Sequence, residues 1–146
     1  MIEHTLPIAV IMQRRRVRHL WADVAWSAVG VVEDRGELPP LQLLGGNEER
    51  EHYLVSGLKL ELHKDENDGY FENWAAPAPK VFVMWQMRGE RAMPVVASVS
   101  YSEGARMLDS GESADGVAMP TEIHVWMRDY LQANYKPRVK RGREHG

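Results

Sequence analysis

The stretch LVSGLKLELH, residues 54–63, decides the fold class because it alternates apolar and polar side chains. A period of two is typical of a strand that is buried on one face only. The residues expected on the buried face are Leu54, Leu58, Leu60 and Leu62. Those expected on the opposite face are Val55, Lys59, Glu61 and His63.

Four other segments have the β-branched, apolar composition of strands. They are IAVIM at 8–12, VAWSAVGVV at 24–32, VFVMWQM at 81–87 and VVASVSY at 95–101. Two weaker candidates are LQLL at 41–44 and GYFENW at 69–74. The turn residues in DENDG, 65–69, and RGERAMP, 88–94, predict a hairpin at each place.

Helical patterns begin after Tyr101. SEGARMLDSG predicts a short helix with Ser102 as N-cap and Gly111 just past its end, and a loop is expected at 112–120. The best helix is predicted over about 120–135, because its apolar residues recur at helical spacing. The members of this stripe are Ile123, Trp126, Met127, Tyr130 and Leu131.

These elements predict one mainly β (α+β) globular domain over residues 1–137. The chain of 146 residues is 44% hydrophobic, which suffices for one compact core. Antiparallel strands followed by an amphipathic helix favour a partly open barrel or a strongly bent sheet that the C-terminal helix closes. We expect an arrangement like that of a pleckstrin-homology barrel.

The composition excludes several functions. The chain has no cysteine, so it has neither a disulfide framework nor a thiol nucleophile. The spacing of its histidines predicts no metal site, and it contains neither a phosphate-binding glycine loop nor a nucleophile elbow. No apolar run approaches the roughly 20 residues that span a bilayer, and the start lacks a secretory pattern. We therefore expect a cytoplasmic, non-enzymatic protein with no cofactor and no membrane partner.

The net charge of −3 is unevenly distributed. Residues 136–146 hold five basic residues and one glutamate, whereas residues 1–135 hold 13 basic and 20 acidic residues. An acidic body with a basic tail argues against a nucleic-acid-binding domain, which would present a basic folded face. A protein partner is the expectation.

A basic cluster lies between the first two predicted strands and consists of Arg14, Arg15, Arg16 and Arg18. One interpretation is a hairpin connection whose charges point into water. The other is a site for a phosphate or an acidic protein surface, because clustered guanidiniums create a strong local field and donate bidentate hydrogen bonds. In that case the nearby Trp21 would anchor the contact.

The five tryptophans divide into two groups. Trp26, Trp85 and Trp126 lie on predicted apolar faces and are expected in the core. Trp21 and Trp74 lie next to loops, which makes them candidates for an exposed interaction surface.

Several segments together resemble an uncharacterised proteobacterial family, domain of unknown function 3305. They are PIAVIMQRR at 7–15, the tryptophan-rich stretch at 21–32, VFVMW at 81–85 and above all VSYSEGARMLDSGESADGVAMPTEI at 99–123. The resemblance extends to about Pro137 and supplies no catalytic residues. Members of that family tend to be encoded beside molybdenum-dependent formate dehydrogenases, which implies an accessory, assembly or regulatory role.

The resemblance also draws attention to the polar segment 101–119. Tyr101, Glu103, Arg106 and Asp109 form a second candidate partner-binding set, although a capped surface helix would explain the same residues. The leading hypothesis is a protein-binding accessory module of a formate dehydrogenase or a related redox complex. The alternative is a domain that holds a pterin, a nucleotide or another small ligand in an aromatic-lined barrel mouth. An enzyme is the weakest option.

We predict that residues 138–146 form a flexible basic tail, because they contain one apolar residue, Val139, and their charges repel one another. Amide resonances of these residues should show random-coil shifts and no protection from hydrogen exchange. Protected amides would show instead that the tail docks on the acidic body.

Overall fold

The structure is a computed structural model, and it describes residues 4–17 and 24–136. This part of the chain contains seven strands and three α-helices, together with a short 3-10 turn at Lys64–Glu66. The elements in chain order are β1 (Thr5–Arg16), β2 (Val24–Glu33), β3 (Leu41–Gly46), β4 (Arg50–Glu61), α1 (Asn67–Trp74), β5 (Lys80–Arg88), β6 (Arg91–Ser98), α2 (Tyr101–Asp109), β7 (Ser113–Ala118) and α3 (Thr121–Asn134).

The strands form two antiparallel sheets. The first has the order β2-β1-β4-β3 and the second has the order β6-β5-β7. β2 lies against β7 and β4 lies against β6, and both sheets contribute to one hydrophobic core. The prediction of a mainly antiparallel β fold is confirmed. The ladders of the described strands pair only within each sheet, so the sheets do not close into a barrel.

A β-bulge interrupts the alternation of β4. The pairing of β1 with β4 shifts register between Ile8 and Val10, and Gly57 on β4 adopts a φ of +103° in the left-handed region. The extra residue turns Val55 into the core, whereas Leu54 does not belong to the core cluster. The prediction that Val55 lies opposite the buried face is therefore wrong, whereas the predicted burial of Leu54 is confirmed, at 7% exposure.

The predictions for residues 65–74 are also wrong, because the 3-10 turn and α1 occupy the positions of the expected hairpin and strand. A Cβ on Gly69 would overlap the hydroxyl of Ser100, so this glycine permits α1 to pack closely on the segment before α2. The Tyr70 hydroxyl accepts a hydrogen bond from the His63 N–H at 2.9 Å. Burial raises the pKa of Tyr70 to about 12. Gly69, which indicated a turn in the sequence, thus marks the close packing of α1 instead.

The segment from 100 to 120 differs from its prediction in two places. The N-cap of α2 is Ser100 rather than Ser102, and its hydroxyl accepts a hydrogen bond from the Glu103 N–H at 3.2 Å. The expected loop at 112–120 contains β7, which pairs with β5. β7 has six residues, lies at the edge of its sheet and contains Asp115 and Gly116. It therefore lacks the alternation of apolar and polar residues from which a strand is predicted.

The amphipathic helix α3 is confirmed within one residue of its predicted bounds. It lies beside α1 and buries four residues of the predicted stripe, Ile123, Met127, Tyr130 and Leu131. The three tryptophans expected in the core, Trp26, Trp85 and Trp126, are only partly buried and pack against it. No helix in the described ranges is long and apolar enough to cross a membrane. The predicted tail lies outside those ranges.

The carboxylate of Asp115 joins the two sheets. Its Oδ2 accepts the backbone N–H of Ala28 on β2 at 2.9 Å and the indole N–H of Trp85 on β5 at 2.8 Å. Charge-assisted hydrogen bonds of this kind are stronger than those between neutral groups. One side chain on β7 therefore fixes the position of β2 relative to the second sheet.

We predict that Asp115→Ala lowers the free energy of unfolding by about 1–3 kcal/mol, because it leaves two partly buried donors without their acceptor. Asp115→Asn retains an oxygen at this position and should cost less. Denaturant unfolding followed by circular dichroism measures both changes. An alanine variant as stable as the wild type would contradict the bridging role.

Candidate functional site

A cleft opens where the β5–β6 hairpin meets the first sheet. It has a volume of about 370 Å³, and we call it the arginine cleft. Its walls come from β1, β2, β4 and the tip of the β5–β6 hairpin. The residues that line it are Arg14, Trp26, Tyr53, Arg88, Glu90 and Arg91.

Arg14 lines the cleft from β1, the strand that runs between β2 and β4. In the two ladders it pairs with Trp26 and with Glu51. Its Nε and Nη2 lie 2.7 and 2.6 Å from Oε1 of Glu51, and the Tyr53 hydroxyl donates to the same oxygen at 3.0 Å. These hydrogen bonds, above all that from Arg14, lower the pKa of Glu51, while Glu51 raises the pKa of Arg14.

Two aromatic rings and a second guanidinium extend the site. The Tyr53 ring centroid lies 6.0 Å from that of Trp26, and the guanidinium carbon of Arg91 lies 5.0 Å from the Tyr53 centroid. A cation at this distance is attracted to the ring by about 0.5–1 kcal/mol at exposed positions. The guanidinium of Arg91 thus lies over the face of the Tyr53 ring.

The hairpin tip supplies two of the three arginines. Gly89 and Glu90 form a two-residue turn in which Gly89 has a φ of +67°, so Arg88 and Arg91 pair directly across the strands. Like charges at opposed positions destabilise a sheet. In the described residues no carboxylate lies within ion-pair distance of either guanidinium.

Among the described residues, one buried side-chain polar atom has no hydrogen-bond partner. It is the indole Nε1 of Trp26. A buried donor without an acceptor costs about 1–3 kcal/mol of stability. Buried polar groups are almost always satisfied in folded proteins. An acceptor supplied from outside the described chain would remove this cost.

The charge of the cleft contrasts with that of the chain. Three guanidiniums face two carboxylates, those of Glu51 and Glu90, which leaves one net positive charge. The chain as a whole carries −3. The cleft is therefore a local positive site on an acidic protein, and its hydrogen-bond donors suit an anionic group with acceptor oxygens.

The predicted basic cluster is divided by the structure. Arg14, Arg15 and Arg16 do not form a connection but continue β1, which pairs with β2 as far as Arg16. Arg15 is exposed and points to the opposite face because strand residues alternate. Arg16 lines a neighbouring cavity of about 400 Å³ together with Arg14, Val24 and Glu48. Arg18 and Trp21 lie outside the described residues.

The second predicted set lies on α2, and none of its members lines the arginine cleft. Tyr101 is half exposed and contacts the Phe82 ring edge-on, and Asp109 is exposed. Arg106 Nη2 lies 3.9 Å from Oε1 of Glu66, and Glu103 Oε1 accepts a hydrogen bond from Ser98 at 2.5 Å. Glu103 and Arg106 line one cavity, whereas Tyr101 and Asp109 do not line it.

Hydroxyl groups explain why the start of α2 is polar. The buried Ser100 donates to Glu66 Oε2 at 2.7 Å, and Ser102 donates to the same oxygen at 3.2 Å. Glu66 ends the 3-10 turn that precedes α1. The cluster thus ties α1 to α2, as expected of a capping network.

A separate aromatic groove of about 220 Å³ lies between α1 and α3. The indole N–H of Trp74 donates to the carbonyl of His124 at 3.2 Å, and the two rings stack with centroids 5.0 Å apart. Trp74 is therefore half-buried and held in place rather than freely exposed. The lining residues are Phe71, Trp74, Arg128, Leu131, Gln132 and Tyr135.

Comparison with known protein families gives one result. The family described as a protein of unknown function, DUF3305, matches residues 7–144. The chain belongs to this family. No curated protein and no solved structure matches the chain significantly. The family match includes every described residue of the arginine cleft.

The sequence pattern indicates Arg14 but not Tyr53, Arg88 or Arg91, and it places Trp26 in the core alone. A signal for two of these was present in the stretch RGER at 88–91, because a two-residue turn places its flanking arginines opposite each other. No such local signal connects this hairpin to Tyr53.

No group of three metal-ligating side chains occurs among the residues described by the structure.

We predict that Glu51→Gln lowers the melting temperature at pH 7 and that the difference from wild type disappears in acid. Because folding lowers the pKa of Glu51, the Glu51 carboxylate stabilises the fold fully above about pH 4.5, its ordinary pKa. This stabilisation is lost as the pH falls through the pKa of Glu51 in the folded state. Thermal unfolding at a series of pH values measures this. The matched control is Glu61→Gln, because Glu61 Oε2 lies 3.8 Å from Nζ of the exposed Lys59. An exposed ion pair of this kind contributes little, so the control should change the melting temperature little. A difference that persists at pH 2 would contradict the assignment.

Proposed function

We propose that the chain is a non-enzymatic accessory module that binds another protein through the arginine cleft. The observation that supports this proposal is the grouping of arginine, tryptophan and tyrosine around one cleft. These three residue types are the most enriched at the energetic centres of protein interfaces. A cleft that is open at the surface also suits a protruding side chain better than an enclosed small molecule.

The family resemblance suggests the partner. A formate dehydrogenase or a related redox complex in the cytoplasm is the proposed partner, with this chain as an assembly, regulatory or accessory subunit. The proposal also includes a finer architecture, in which α3 covers one end of the sheets as in a pleckstrin-homology-like fold. The burial of Ile123, Met127 and Tyr130 supports that arrangement.

A second candidate function is the binding of a small anionic ligand in the same cleft. The unpartnered indole N–H of Trp26 favours it, because a small ligand with an acceptor oxygen would satisfy that donor. The rings of Trp26 and Tyr53 would provide the apolar contact that such ligands need. Protein purified from its native host with a bound chromophore would support this function over the first.

We predict that the double variant Arg88→Gln, Arg91→Gln folds normally but captures the native partner about tenfold less efficiently or worse. The loss of two hot-spot arginines reduces affinity, and a tenfold change corresponds to about 1.4 kcal/mol. Affinity purification from the native host, with quantitative mass spectrometry, measures the captured protein. Arg35→Gln is the control, because Arg35 is exposed in the loop between β2 and β3 and does not line the cleft.

Two results would contradict the proposal. In the first, no protein is recovered in a fixed ratio to the wild-type chain. In the second, a redox enzyme is recovered equally well with the double variant and the wild type, which would place the interface elsewhere.

A further inference from the structure

We infer that the arginine cleft binds the carboxylates of an acidic peptide segment and that Glu51 is the internal group with which the incoming carboxylate competes. This inference rests on the proposed function and specifies the chemistry of the partner. It assigns a ligand to Arg14, Arg88, Arg91 and Trp26.

The contact between Arg14 and Glu51 shows that the cleft accommodates a carboxylate. One carboxylate oxygen lies within 2.7 Å of two guanidinium nitrogens and accepts the Tyr53 hydroxyl at 3.0 Å. The side chains of both partners are only about three-quarters buried, at 25% and 26% exposure. An external carboxylate can therefore reach the same donors from the solvent side.

Arg88 and Arg91 remain open to a further anion, because Glu51, whose charge attracts Arg91, lies beyond ion-pair distance. They pair across the hairpin, where two positive charges repel each other, and neither has a carboxylate at ion-pair distance in the described part. Gln or Thr at either position would form the same hairpin without repulsion. An anion between the two guanidiniums turns this repulsion into a favourable contact.

The indole N–H of Trp26 requires an oxygen acceptor. The nitrogen is buried and has no hydrogen-bond partner within the described ranges, and its residue lines the cleft beside Arg14. A ligand oxygen therefore reaches it once a side chain that covers it shifts. A peptide provides such oxygens both in its carboxylates and in its backbone carbonyls. The rings of Trp26 and Tyr53 also offer apolar contact to the methylene groups of an acidic side chain, which a simple inorganic anion lacks.

Charge selects a short acidic segment over a nucleic acid. The cleft carries one net positive charge, whereas residues 1–135 carry seven more acidic than basic residues. A nucleic-acid duplex presents negative charge along its whole length and would be repelled by the remaining surface. A short acidic segment places its charge in the cleft only.

The test uses a fluorescein-labelled hexaglutamate peptide and the full chain at fixed ionic strength. Fluorescence anisotropy should show saturable binding to the wild type, and at least tenfold weaker binding to the Arg88→Gln, Arg91→Gln variant. Arg35→Gln should bind as the wild type does. The indole resonance of Trp26, assigned by its loss in Trp26→Phe, should shift during the titration.

A charge-matched pair of variants isolates the competition. Glu51→Gln and Glu90→Gln remove the same charge from the cleft, but only Glu51 bonds to Arg14. Hexaglutamate should bind Glu51→Gln several-fold more tightly than Glu90→Gln. Equal affinities for the two variants would overturn the competing role of Glu51.

Other outcomes would overturn the carboxylate assignment. These are equal binding of hexaglutamate to the wild type and the double arginine variant, an unshifted Trp26 indole, or displacement of the peptide by equal concentrations of inorganic phosphate or hexathymidylate. If these occur while arginine-dependent capture of a native protein persists, the inference fails and the proposed function stands. If hexaglutamate binds as expected but no native protein is captured, the proposed function fails instead.

Discussion

The bridge formed by Asp115 is the constraint on which the arrangement of the two sheets depends. Backbone ladders order the strands within each sheet, but in the described residues no ladder joins one sheet to the other. Asp115 supplies a directional contact there, because one oxygen accepts both the Ala28 N–H on β2 and the Trp85 indole on β5. Trp26 lies two residues before Ala28, and the turn of the β5–β6 hairpin begins at Gly89, four residues after Trp85. The bridge therefore also sets where the hairpin tip meets β2, and so the shape of the arginine cleft.

Satisfied polar groups hold the helices to this frame. Asn73 is almost fully buried, and its amide donates to the carbonyls of Lys80 and Val99 at 2.8 Å while accepting the Lys80 N–H at 3.0 Å. The contacts of Ser100 and Ser102 with Glu66 fix α1 relative to α2 in the same way. Buried networks in which every member is paired give a rigid arrangement. Against this background the indole N–H of Trp26 is an exception among the described residues, because it is buried and has no hydrogen-bond partner.

The sequence predicted those elements whose patterns are local. β1 and β5 followed from their β-branched runs, and α3 followed from its 3.6-residue period. Sequence patterns failed where a distant contact decides the structure. The hydroxyl of Ser100 leaves no room for a side chain at position 69, and the bulge at Gly57 turns Val55 into the core. The site follows the same rule. Arg14 stands out in a run of charges, whereas the approach of Arg91 to Tyr53 depends on how two sheets pack, which no local pattern encodes.

The net charge of the chain and the charge of the cleft would act on the proposed acidic partner at different distances. At distances beyond the roughly 8–10 Å over which salt screens charge, an acidic partner meets the net negative charge of the chain and is weakly repelled. Within contact distance the proposed partner would meet the guanidiniums of the cleft, one of which, that of Arg91, lies 5.0 Å from the Tyr53 ring centroid. The attraction between opposite charges is strongest at this short range. In the proposed complex, a partner would gain the short-range contacts only if its acidic group fitted between Arg14 and the hairpin. Recognition by such a surface depends on the geometry of the contact more than on the total charge of the partner.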